Sequence, residues 1–131
     1  MITLDIKTSS KVELKDITRE VRAAIKRSKV KQGLCTVFVP HTTAGVSINE
    51  NADPSVKSDI IMETNKIIPL SDGYAHAEGN SAAHIKSSLF GPSLTIIIEN
   101  NEPVLGTWQG ILFCEFDGPR NRKCYIQIVG K

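Results

Sequence analysis

Most connections between the strand-like runs of this chain are too short to cross a sheet, and that limits the fold more than any other feature. The clearest case lies near the C-terminus. Gly110 to Asp117 and Arg122 to Val129 are alternating runs linked by Gly118-Pro119-Arg120-Asn121. So short a Gly/Pro/Asn link predicts an antiparallel hairpin. Parallel neighbours would need a crossover of roughly a dozen residues or more. Ile2, Leu4 and Ile6 alternate as a first strand, and Leu34 to Val39 reads as a buried strand stopped by Pro40. Gly45 to Asn49 is a further short strand, and Leu94 to Glu99 is another, followed by the turn Asn100-Asn101-Glu102-Pro103.

Three segments carry helical spacing instead. Ile17, Val21, Ala24 and Ile25 make one apolar stripe, with Arg19, Arg22, Lys26 and Arg27 facing water and Gly33 as the stop. The basic cluster from Lys26 to Lys31 reads as the solvated end of this helix, where the macrodipole favours cations. Asp53-Pro54 is an N-cap followed by proline at the first helical position, and Val56, Ile60, Ile61 and Ile67 follow before Pro69. After a loop from Ser71 to Gly79, Asn80 or Ser81 caps a short helix with His84, Ile85 and Leu89, closed by Gly91-Pro92. The class that follows is α+β. One compact domain spans residues 1–131, an antiparallel sheet or sandwich with flanking helices.

At 131 residues the chain buries enough surface to fold without a staple. Its three cysteines are an odd number with no zinc-ribbon spacing, and Cys35 and Cys114 fall in apolar runs, so buried thiols are expected. The alternating start is a strand pattern, not a secretory leader, and no apolar run is long enough to span a bilayer. A cytoplasmic protein without membrane contact is expected. A net charge of +2 and 5% aromatic residues argue against nucleic acid as a partner.

The chemistry-bearing residues fall into two groups. The first is the three histidines, all in polar, turn-like settings. His41 emerges at the end of a strand with the hydroxyls of Thr42 and Thr43 beside it. His76 and His84 flank a glycine and a helix start, where Gly79 and Asn80 offer free backbone N–H groups suited to an anion. Imidazole moves protons near neutral pH and binds metals, so a shared site is one reading and separate hydrogen-bonded histidines the other. The second group is the last hairpin. Leu112, Cys114 and Phe116 share one strand face; Phe113, Glu115 and Asp117 share the other. The two carboxylates could bind a metal, accept a proton, or pair with Arg120 and Arg122 across the turn as a surface ladder. The arginines could equally form a fork for phosphate. Trp108, bracketed by glycines, reads as core or subunit-interface packing rather than a stacking platform.

Five motifs then occur in order: His41-Thr42-Thr43-Ala44; Ile48-Asn49-Glu50-Asn51-Ala52-Asp53-Pro54; Glu78-Gly79-Asn80 with Ala83-His84-Ile85-Lys86; Leu105-Gly106-Thr107-Trp108-Gln109; and Glu115-Phe116-Asp117-Gly118-Pro119-Arg120. This series resembles the YjbQ family of secondary thiamine-phosphate synthases. The resemblance implies a compact homotrimer with polar pockets near subunit boundaries. It implies that His41, His76 and His84 line one pocket as a metal site, with Asn49, Asn80, Glu115, Asp117 and Arg120 nearby. The expected reaction joins a pyrimidine pyrophosphate to a thiazole phosphate and releases pyrophosphate. In it His41, Asn49, Glu115, Asp117 and Arg120 would be catalytic, while Thr42, Thr43, Gly79, Asn80, Arg120 and Arg122 would hold the phosphorylated substrate. Three imidazoles favour zinc over magnesium as the divalent metal. Metal-dependent hydrolysis of a phosphorylated compound, or binding without turnover, would use the same groups. Ser81-Ala82 stands where many relatives carry an acidic residue, and Asn100 to Pro103 replaces their glycine-containing turn.

Overall fold

A computed structural model describes residues 1–131. The elements in order are β1 (Ile2–Lys7), β2 (Glu13–Asp16), α1 (Thr18–Ser28), β3 (Gln32–Phe38), β4 (Ala44–Glu50), α2 (Pro54–Ile67), α3 (Ser81–Phe90), β5 (Ser93–Glu99), β6 (Glu102–Pro103), β7 (Gln109–Glu115) and β8 (Asn121–Gly130). They form two sheets, one ordered β1-β8-β3-β5-β6 and the other β2-β7-β4. Every strand pairing is antiparallel.

The main core lies between the sheets. Cys35, Val37, Ile96, Ile98, Cys124 and Ile126 enter from the five-stranded sheet and Val46, Ile111 and Phe113 from the other, with Val21, Ala24 and Ile25 of α1 packed against them. Alternation explains which residues enter, because side chains two apart on a strand share a face. The outer face of the smaller sheet is a second apolar layer. There Leu14, Leu112, Cys114 and Phe116 meet Ala83 of α3, with Ile60 and Ile61 of α2 half-buried beside them. β7 is therefore covered on both faces, and the split of Leu112 and Cys114 from Phe113 holds. No helix is long and apolar enough to cross a membrane.

Several expectations change. The last two strands are not a hairpin: β7 pairs with β2 and β4, whereas β8 pairs with β1 and β3. The link at Gly118-Pro119-Arg120 carries the chain from one sheet to the other. A short turn signal does not distinguish a hairpin from a sheet corner; the two-sided burial of β7 does. At this corner a Cβ on Gly118 would lie 2.3 Å from the Ser10 carbonyl oxygen. The first helix ends at Ser28, with Lys29 in the left-handed region (φ 60°), and not at Gly33. Gly33 lies within β3 opposite Gly130, where a Cβ would come 2.1 Å from the Val129 carbonyl oxygen. β3 is buried on one face only, so Leu34 and Phe38 point outward. The polar edge segment β2 and the two-residue β6 lack an apolar pattern and escape the sequence reading. Trp108 is 64% exposed, which removes core packing as its explanation. All three cysteines are free and buried, and burial pushes Cys35 up to about 11 and Cys114 and Cys124 up to about 12.

Candidate functional site

Three of the connections that carry the chain between the sheets meet at one place: Thr8–Val12 from β1 to β2, Val39–Thr43 from β3 to β4, and Phe116–Arg120 from β7 to β8. They lie side by side. The Thr8 N–H donates to the Arg120 carbonyl at 3.0 Å, Gly118 N–H to the Lys11 carbonyl at 3.0 Å, and Phe116 N–H to the Thr43 carbonyl at 3.1 Å. Backbone that leaves a ladder loses its regular partners, so polar side chains collect at such crossings.

The innermost of these is Glu115, fully buried and facing the side of β7 that carries Phe113. Its carboxylate accepts from Thr8 Oγ1 at 2.7 Å, from the Asp117 N–H at 3.1 Å, and from Nε and Nη2 of Arg122 at 2.9 and 2.5 Å. Arg122 is 5% exposed, and its Nη2 also donates to Thr43 Oγ1 at 2.8 Å. Burial raises the Glu115 carboxyl, but the hydrogen bonds from Arg122 and Thr8 outweigh it and hold the group below the usual carboxylate range. The surface-ladder expectation for this pair is thus replaced by a buried ion pair. Asp117 accepts from Lys11 Nζ at 2.7 Å, Asn80 Nδ2 at 3.1 Å and Arg120 Nη2 at 2.8 Å. Burial raises it too, and those donors, Lys11 first, bring it below its ordinary value.

A cleft of about 680 Å³ opens against these crossings. His41, Thr42, Thr43, Arg120 and Arg122 line one side, with Glu78, Asn80 and His84 of the α3 entrance on the other. His41 Nε2 accepts the Lys123 N–H at 2.9 Å, which leaves the ring proton on Nδ1. Burial, and then the charge of Arg122, hold His41 below the usual imidazole range. Each arginine places its Nε–Nη2 edge on protein oxygens, while neither Nη1 donates to a protein group. Asn80 makes no side-chain cap to α3; its Nδ2 is turned to Asp117, and its buried Oδ1 has no partner.

The structure therefore brings together His41, Thr42, Thr43, Asn80, His84, Arg120 and Arg122, with Glu115 and Asp117 behind them as tethers. Other expected members stand apart. His76 packs edge-to-face on His84 with ring centroids 5.5 Å apart and lies 3.6 Å from Glu78, outside the cleft lining. Gly79 is exposed at φ +78° and serves the turn between Glu78 and Asn80. Asn49 sits near the far end of β4 opposite Gly110, and its Oδ1 accepts the neighbouring Glu50 N–H at 2.7 Å. Both residues lie within β4, and Asn49 is not among the residues that line the cleft. No three His, Cys, Asp or Glu side chains lie where they could hold one metal ion. One chain thus does not assemble the expected three-histidine centre: His76 and His84 lie ring against ring, while His41 turns its Nε2 to the Lys123 amide. Thr8 and Lys11 were missed; a polar turn of Thr, Ser and Lys after a strand carries no signal of the carboxylates it will meet.

These features define an antiparallel two-sheet protein with an arginine- and histidine-lined cleft at its sheet crossings. The family model described as UPF0047 protein YjbQ-like matches residues 2–131, and the chain belongs to that family. It is 59% identical to a UPF0047 protein of Methanocaldococcus jannaschii, over 95% of this chain and 91% of the relative. It is 51% identical to the UPF0047 protein YugU of Bacillus subtilis, over 98% of both chains. Among solved structures, a YjbQ/UPF0047 family protein of Clostridium acetobutylicum superposes with a TM-score of 0.97 at 53% identity, covering 98% of this chain and 100% of that one. A YbjQ-like protein of Sulfolobus solfataricus does so with 0.95 at 30% identity, covering 99% and 96%.

Proposed function

We propose that the cleft holds the phosphoryl group of a phosphorylated small molecule, and that the protein is a transferase of the thiamine-phosphate synthase kind. The observation that carries this reading is the state of the two arginines. Arg122 has one edge fixed on the buried Glu115 and Arg120 on Asp117, and the Nη1 of each remains without a protein acceptor. Donors fixed before the ligand arrives need no reorganisation when negative charge builds on a departing pyrophosphate. The neutral His41 adds an Nδ1–H donor, and Asn80 Oδ1 accepts a hydroxyl or N–H of the ligand. Glu115 and Asp117 are positioning residues in this scheme, since they act through the arginines.

The partner in this reading is further copies of the same chain, assembled as a homotrimer. Ile97, Leu34 and Val129 form one cross-strand row on the outer face of the five-stranded sheet, and all three are exposed. Phe38 stacks on Tyr125 on the same face, and Phe38 also borders the cleft. Light scattering on the eluting protein reads the assembly; Leu34→Glu is expected to yield monomer, and a monomeric parent protein refutes it. The expected zinc stays outside this scheme, because a catalytic zinc takes three protein ligands and one chain does not bring three together. Zinc content of the parent protein against His84→Ala shows whether that histidine holds the metal.

The activity test measures pyrophosphate release from the pyrimidine pyrophosphate and thiazole phosphate, with calorimetric titration of pyrophosphate alongside. Release that falls at least about tenfold in Arg120→Ala and His41→Ala supports the reading. Binding without release reduces the protein to a binder, and neither binding nor release ends the phosphoryl-cleft assignment.

A further inference from the structure

On the other side of Asp117 from the cleft lies a second cavity of about 450 Å³, which shares no lining residue with it. It opens between α2, α3 and the β1–β2 crossing. Its walls include Val12, Ile61, Leu70 and Phe116, and Lys86 and Asn65 stand among them. Lys86 is 3% exposed. Its Nζ donates to Asn65 Oδ1 and lies 6.0 Å from the centre of the Phe116 ring. An amide oxygen and an aromatic face solvate an ammonium, but neither neutralises it. No carboxylate lies within ion-pair reach of Lys86, although lysines this buried are almost always paired. Two of its three N–H donors have no protein acceptor. Lys11, the other cation of the cavity, differs from Lys86 in having a carboxylate partner, Asp117 at 2.7 Å, and in being half-exposed to water.

From this geometry we infer that the cavity is a binding site for a small organic monocarboxylate with an apolar body, its carboxylate on Lys86 and its body against Val12, Ile61, Leu70 and Phe116. One unbalanced ammonium matches one negative charge. A phosphate dianion would bring a surplus charge, and most of its oxygens would face apolar wall. A neutral ligand would leave the lysine as it is. The volume lies in the range of small-molecule sites, and the mixture of apolar wall and one oriented polar group is typical of them. The inference stands apart from the phosphoryl reading of the cleft.

The test titrates the intact protein calorimetrically with straight-chain carboxylates from butanoate to octanoate, with benzoate, and with the matching alcohols. The parent protein is expected to bind at least one acid saturably and more tightly than its alcohol. Lys86→Met keeps the length and apolar stem of the side chain. It is expected to weaken the acid by a factor of about 10–100, the loss of a charge-assisted hydrogen bond, and to leave the alcohol unchanged. Leu70→Glu, at an exposed lip of the cavity, keeps the lysine and places a carboxylate beside it. It should weaken the acid too, while leaving pyrophosphate binding at the cleft intact, so the inference stays testable if Lys86→Met does not fold. No saturable binding of any of these acids by about 10 mM, equal binding of acid and alcohol, or undiminished binding in folded Lys86→Met or in Leu70→Glu each overturns the site.

Discussion

Arg122→Met is the sharpest probe of how the site is held. Glu115 is fully buried, and its carboxylate has four donors: Thr8 Oγ1, the Asp117 N–H, and two from Arg122. The substitution removes the two charge-assisted bonds and leaves the two neutral ones. Each charge-assisted bond contributes about 1.5–3 kcal/mol, and breaking one side of a buried pair costs about 3–5 kcal/mol. Against a total stability of about 5–15 kcal/mol this is a large fraction. At a urea slope of about 2 kcal/mol/M, the unfolding midpoint should fall by about 1.5–2.5 M at pH 7. The pH dependence should also change sign. In the parent protein Glu115 is held below its unfolded value, so its contribution is present above about pH 4.5 and is lost as pH falls through the lower folded value. Without Arg122, burial dominates and the folded value rises above the unfolded one. The variant's Glu115 then contributes most below about pH 4.5, and that part is lost as pH rises. Equilibrium urea unfolding at about pH 3.5, 5 and 7 reads both effects, the parent's slope in the lower interval and the variant's above about pH 4.5. Glu115→Leu with Arg122→Met leaves no buried charge and should recover at least about 2 kcal/mol relative to the sum of the single changes. A midpoint shift under about 0.5 M with the parent's pH slope would show that the pair is not a buried counter-ion pair.

His41 is held below the usual imidazole range, mainly by burial and then by Arg122. Its protonation favours the unfolded chain, so stability should be complete above about pH 6.5 and decline as pH falls below it, and His41→Gln should flatten that part of the unfolding profile. The buried cysteines, raised to about 11 or 12, are protonated at neutral pH and should resist a thiol-specific disulfide reagent in the native state and react once urea unfolds the chain; fast native labelling would contradict their placement. Gly33→Ala sets a methyl group 2.1 Å from the Val129 carbonyl oxygen and should cost about 1–3 kcal/mol in urea unfolding, while Gly73→Ala, which meets nothing within 4 Å, should cost less.

What the sequence discloses here is what period and punctuation can carry. Ile2, Leu4 and Ile6 alternate and form β1; Asp53 caps α2 through the Ser55 N–H at 2.9 Å; the stripe from Ile17 to Ile25 lies in the core. The partner of a strand is a different matter. Gly118-Pro119-Arg120-Asn121 reads identically as a hairpin tip and as a corner between sheets, because both need a tight turn. Only the environment of β7, with Ile111 and Phe113 in the core between the sheets and Leu112 and Cys114 in the layer that holds Ala83 of α3, decides between them. The same limit governs the site. Residue type marked His41, Asn80, Arg120 and Arg122 as capable of chemistry. It did not reveal that His76 faces His84, or that Asn49 lies at the wrong end of β4, since those depend on how a loop and two sheets are set against each other.

The crossings also explain why acidic residues that look catalytic act here as tethers. Where three connections pass between sheets, backbone groups lose their ladder partners. Glu115 takes up the Asp117 N–H, Thr8 Oγ1 takes up the Arg120 N–H, and the Asp117 carbonyl receives Arg120 Nε. A carboxylate placed there for the backbone needs a counter-ion, which draws in an arginine; the planar guanidinium can satisfy the carboxylate with one edge and still present the other. The outward edges of Arg120 and Arg122 are thus a by-product of holding the corner together, and the cleft forms where they emerge. It follows that Glu115→Gln should disturb stability and ligand affinity together, whereas Arg120→Lys, at a half-exposed position, should weaken pyrophosphate binding with little change in the urea midpoint. A variant set in which stability and affinity always moved in proportion would contradict this division between tether and binding edge.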